Sequence, residues 1–290
     1  MESNDLVLQG LLESIGKLVH KFENEAVALL SLLRGRARSA NASKDIANHF
    51  SAIIAWLAIE RENPTAIETL RDALSDPIAY SGEIRRTSFE VGSMIVGAKG
   101  TQGKAEINAT KWLCRIIDSI ELGVANSVNQ RSESIDDSQL GDLFKSLDII
   151  VTRLWIAQKG IGRAESEHFY KLTKPVLERV LAFAATQASG GLAAPTAHHV
   201  IEFLSHFLWV DPSGILRMAW LTVDCSQDYK IDSMAISEIV KMVEIILADH
   251  RDQIRDPNSL QYLLNLLDKF AQTGWPEALR QVWRLDEVFG

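Results

Sequence analysis

The sequence predicts an all-α protein, a HEAT-like α-solenoid of stacked antiparallel helix pairs running as one array over residues 1–290. Three observations carry this expectation. Apolar residues recur at three- and four-residue spacing along nearly the whole chain, and no stretch alternates with a period of two between turn signals. Capping side chains followed by proline stand at Asn63-Pro64, Asp76-Pro77, Asp211-Pro212 and Asp256-Pro257. In each pair the Asn or Asp oxygen can accept an orphan backbone N–H, and proline at the first helical position has no N–H to waste. Finally, 290 residues is long for a single core, whereas stacked hairpins need no common centre. Pro212 and Pro257 lie 45 residues apart (212 to 257), a HEAT-type spacing. An irregular multi-helix bundle is the alternative architecture.

The elements follow in order. Helices are expected near 4–21, 23–37 and 41–61, the last containing the longest apolar run, Ala52 to Ile59. The capped prolines open helices at 64–74 and 77–97. Three glycines within 97–103 separate the second of these from a helix over 104–129. A polar, acidic stretch at 129–137 precedes a helix over 136–158. The next helix, 164–188, has Phe169, Leu172, Val176, Val180 and Ala184 on one face, with Lys174-Pro175 inside it, where a kink or break is expected. Ser189-Gly190-Gly191 then interrupts the chain before helices at 195–209 and 212–224. A helix over 231–252 is apolar at Ile239, Val240, Val243, Ile246 and Leu247, and one over 257–272 at Leu260, Leu263, Leu264, Leu267 and Phe270. Gly274-Trp275-Pro276 opens the last, 276–288. Candidate hinges are 97–103, 129–137 and 189–194.

Composition narrows the class. With 47 % apolar and 23 % charged residues the chain is neither disordered nor collagen-like, and two cysteines make no disulfide scaffold. Cys114 and Cys225 lie far apart without ligand spacing, which suits a reducing, cytoplasmic setting. No apolar run approaches the ~20 residues of a membrane helix. Met1 to Asp5 lack the basic start and apolar core of a secretion signal.

The net charge of −8 is unevenly distributed. Residues 1–115 hold 14 bases and 14 acids, while 116–290 hold 16 and 24, so all the excess lies in the later part. Nucleic-acid binding is disfavoured, since it needs a basic stripe. The one basic cluster, Arg34, Arg36 and Arg38 with Lys44 nearby, reads as a solvated helix end, where cations suit the backbone dipole. An anionic-ligand site is its alternative.

The motifs yield no catalytic residue and imply no cofactor. The run Gly97-Ala98-Lys99-Gly100-Thr101-Gln102-Gly103-Lys104-Ala105 lacks the glycine spacing, the hydroxyl after lysine and the preceding strand of a phosphate loop. It reads as a helix–helix turn. Cys114 reads as a buried thiol, and Asp224 beside Cys225 raises that thiol's pKa rather than activating it. Trp56, Trp112 and Trp155 are expected in the core.

His198, His199, Glu202 and His206 form the densest set of potential ligands. On a helix His199, Glu202 and His206 share one face, opposite Val200, Ile201, Phe203, Leu204, Phe207 and Leu208. A solvated or groove-lining face is the leading reading. The alternative is a zinc-type site in a metal-dependent helical enzyme, although the order is not that of a zincin. Trp209 ends this face, and His199, Glu202, His206 and Trp209 are the candidate partner-binding residues.

The later part carries Phe207-Leu208-Trp209-Val210-Asp211-Pro212, Val240 to Arg251, and Leu263-Leu264 to Phe270. It closes with Gly274-Trp275-Pro276-Glu277-Ala278 and Trp283 to Phe289. Over residues 195–290 this pattern resembles the C-terminal helical-repeat region of large bacterial signal-transduction and anti-phage ATP-binding proteins. The resemblance implies a sensor or scaffold part of a larger protein, without its ATPase. The sequence thus points to a non-enzymatic module binding a protein partner, in an anti-phage sensor. The alternatives are the metal enzyme and a scaffold that self-associates through Trp283 and Phe289.

Overall fold

The computed structural model describes residues 2–39, 42–98, 100–130, 137–187 and 191–289. Among these the chain is helical throughout, with thirteen α-helices, two short 3-10 turns and no strand. The chain divides into two compact units. One comprises Met1–Ala98 and Gly103–Ile150, the other Lys99–Gln102 and Val151–Gly290.

The first unit contains α1 (Glu2–Leu18), α2 (Glu23–Ala37), α3 (Lys44–Ile59), α4 (Pro64–Ser75), α5 (Ser81–Ala98), α6 (Lys104–Gln130) and the start of α7 (Asp137–Gln158). Its centre is α3, which packs against α1, α4 and α5. That position explains why α3 is apolar on most sides: Ile46, Phe50, Ile54, Leu57 and Ile59 are all buried.

In the second unit are the end of α7, α8 (Arg163–Ala185), α9 (Ala194–His206), α10 (Pro212–Asp224), α11 (Ser233–Asp249), α12 (Pro257–Gln272) and α13 (Pro276–Phe289). Here each helix packs on the next but one: α8 on α10, α10 on α12, α9 on α11 and α11 on α13. Two layers of alternate helices result. Phe169, Phe203 and Phe207 cluster between α8 and the end of α9, with Phe203 and Phe207 centroids 4.9 Å apart.

Three of the four capped prolines start helices. Asn63 Oδ1 accepts from Thr65 and Ala66 N–H, Asp211 Oδ1 from Gly214, and Asp256 Oδ1 from Asn258 and Ser259, all at 3.0–3.2 Å. Asp76-Pro77 does not. Asp76 Oδ1 accepts from Ala79 N–H and its carbonyl from Tyr80 N–H, which closes a turn, and α5 begins only at Ser81. A second expectation also fails: α8 continues through Pro175. Buried Phe169, Tyr170, Thr173, Val176, Leu177 and Val180 hold the helix on both sides of the proline, and this packing outweighs one lost hydrogen bond.

Within the arginine cluster Arg34 and Arg36 keep the partly solvated helix-end position expected of them, but Arg38 does not. The Arg38 side chain is only 9 % exposed and donates to Glu83 through two nitrogens, at 2.8 and 2.7 Å. It also donates to Asp72 at 2.6 Å and to the Thr69 carbonyl at 2.9 Å, beneath the Tyr80 ring. Arg34 pairs with Asp72 and Arg36 with Asp5. Burial opposes the Arg38 charge, but Glu83 and Asp72 outweigh it and raise its pKa.

Trp112 is buried as expected, whereas Trp56 and Trp155 are half-buried beneath cations, Arg61 and Lys159. Cys114 is half-buried, not enclosed. Cys225 is buried, and burial first and Asp224 second push its thiol pKa up. Of the candidate hinges, in 97–103 the first two residues end α5 and 100–103 lead into α6 with Gly100 and Gln102 at positive φ, while Lys99 lies outside the described residues. Residues 131–136 of the second and 189–190 of the third also lie outside them.

Candidate functional site

The four candidate residues sit on α9 and just after it, and the structure divides them into two pairs. Their helix is held by an apolar face: Val200, Ile201, Phe203 and Leu204 are buried. That burial turns His199, Glu202 and His206 outward, as the helical period requires.

His199 and Glu202 are engaged by Trp155 of α7. The His199 ring stacks on the indole with centroids 4.1 Å apart and planes at 21°. Trp155 Nε1 donates to Glu202 Oε2 at 2.7 Å, and Thr152 Oγ1 lies 3.3 Å from His199 Nδ1. Lys159 Nζ lies 3.5 Å from the centroid of the same indole. A solvated face is therefore replaced by a half-buried aromatic and ionic cluster. His206 belongs elsewhere, and among the described residues no three His, Cys, Asp or Glu side chains are placed to hold a metal ion.

His206 and Trp209 line a groove of about 510 Å³ in the second unit. It opens where the C-terminal ends of α9 and α11 meet the start of α8. Ile161, Leu208 and Ile245 give it an apolar floor. Its polar lining is Arg163 and Ser166 from α8, Ser205 and His206 from α9, and Asp249 and His250 from the end of α11. Arg163 lies over the half-exposed Trp209 ring, 5.2 Å from its centroid, a cation–π arrangement. Ser205 Oγ and His250 Nδ1 are buried without a hydrogen-bond partner among the described residues. Burial of one side of the His206 imidazole lowers its pKa, so the neutral ring is favoured.

Such a lining can recognise more than it can transform. It offers a flat aromatic, with a guanidinium and a carboxylate at the rim. Sequence reasoning found His206 and Trp209 but missed Arg163, Ser205, Asp249 and His250. One signal was present: His206 and His250 are 44 residues apart (206 to 250), nearly the Pro212-to-Pro257 spacing. Stacked repeats bring equivalent positions side by side.

Comparison of the chain with protein-family models, curated proteins and solved structures returns no match.

Proposed function

We propose that this chain is a non-enzymatic helical module that binds a protein partner, its helices arranged as HEAT-like stacked pairs. The stacking is supported in the second unit by the packing of each helix on the next but one. The spacing of Pro212 and Pro257 agrees with it, because these residues open α10 and α12, which pack together.

The observation that carries the binding role is the groove beside Trp209, whose half-exposed ring lies next to an apolar floor with Arg163 over it. A segment of a partner laid in the groove can pair with the Arg163 guanidinium and the Asp249 carboxylate at its rim. It also covers the Trp209 ring, an aromatic anchor of the kind that dominates interface energetics. Arg163 and Asp249 at the rim suit a partner of mixed charge. A sensor role for this binding is part of the proposal and rests on the sequence pattern of residues 195–290, which resembles the helical-repeat region of anti-phage ATP-binding proteins.

The test is capture of partners from the native cell with and without phage challenge, comparing the unaltered chain with Trp209→Ala. The expected result is a partner retained by the former and lost by the latter, with circular dichroism unchanged. Equal capture by both overturns the proposal.

A further inference from the structure

α1 and α2 carry more apolar surface than the first unit covers. On its inner side α1 buries Leu8, Leu12 and Ile15, yet Val7, Leu11 and Leu18 line an exposed stripe, with Val7 at 72 %. On α2 only Ala26, Leu30 and Ala37 are buried, while Leu29 and Leu32 face outward, Leu32 at 81 %. A helix that is apolar on more than its core-facing side is ordinarily covered there too. Here one side has no cover within the unit.

The charges on α2 say what covers it. Glu25, Ala28, Leu29, Leu32 and Arg36 fall on one helical face, and all are exposed. The acid stands at the N-terminal end of this face, the base at the C-terminal end, and the leucines between them. Laid antiparallel on an identical helix, the face is complementary to itself. Leu29 meets Leu32 of the copy, and Glu25 meets its Arg36. A parallel pairing instead opposes acid to acid and base to base. Arg36 already pairs with Asp5 at 2.9 Å, yet its side chain stays 46 % exposed, so it remains available to a second carboxylate. Self-complementarity about a two-fold axis is what an isologous dimer requires.

We infer that the chain forms a two-fold symmetric dimer through the outer face of α2. The partner is a second copy of this chain. This surface lies in the first unit and does not depend on the groove beside Trp209.

Light scattering of the full chain across the micromolar range tests this. The expected mass is twice 32.3 kDa, with a thermal midpoint that rises with concentration. Leu32→Asp gives a monomer whose helical circular dichroism is unchanged, since Leu32 supports no buried contact. Glu25→Arg weakens association about tenfold, because two attractive rim pairs become repulsive. A single-chain mass at every concentration overturns the proposal, as does a dimer that survives Leu32→Asp. Association unaffected by Glu25→Arg overturns the antiparallel register.

Discussion

At the residue scale, the Arg38–Glu83 pair shows how burial changes what a charge does. Both side chains are less than a tenth exposed, at 9 % and 8 %, so each is the other's substitute for water. Removing one strands the other. Arg38→Met is expected to cost about 3–5 kcal/mol in urea denaturation. Arg38→Met with Glu83→Leu recovers most of that, because no buried charge is left unpaired. His206 gives the pH counterpart. Its pKa falls below the ordinary 6.5 on folding, so the unfolded chain takes up the proton first as pH drops. Stability therefore declines as pH falls through 6.5, and this contribution is fully lost below the folded-state pKa. In His206→Gln the stability difference between about pH 7 and about pH 5 is expected to shrink. None of these partnerships is legible in the sequence. Arg38 and Glu83 are 45 residues apart (38 to 83), and nothing local distinguishes Arg38 from Arg36, which stays half-exposed.

At the scale of elements, local chemistry was the better guide. The caps at Asn63, Asp211 and Asp256 act through hydrogen bonds within three residues, so sequence is enough to place them. Asp76 has the same chemistry but spends its oxygen on a turn at Ala79. Proline in α8 makes the opposite point: a local breaker loses to packing on both flanks. The ring of Pro175 is exposed, so its helix bears the missing hydrogen bond without gaining a buried contact. Pro175→Ala restores a backbone donor and is expected to stabilise the chain by about 3 kcal/mol in chemical denaturation. An unchanged midpoint would show that α8 has already relaxed around the proline.

At the scale of the whole molecule, the sequence by itself determined the all-helical character of the described residues and most of their helix boundaries, because periodicity and capping act over a few residues. It also located the polar face of α9, since Val200, Ile201, Phe203 and Leu204 could turn only one way. Only the tertiary structure decided how that face is used. Trp155 claims His199 and Glu202, while His206 and Trp209 join Arg163, Asp249 and His250 across three helices. It alone showed that Leu29 and Leu32 are left uncovered while Leu30 is buried. The physical reason is range. Helix formation is settled by neighbours three and four residues away, but burial, ion pairing and groove lining are settled by side chains some 40 residues apart or more, and only folding brings those together.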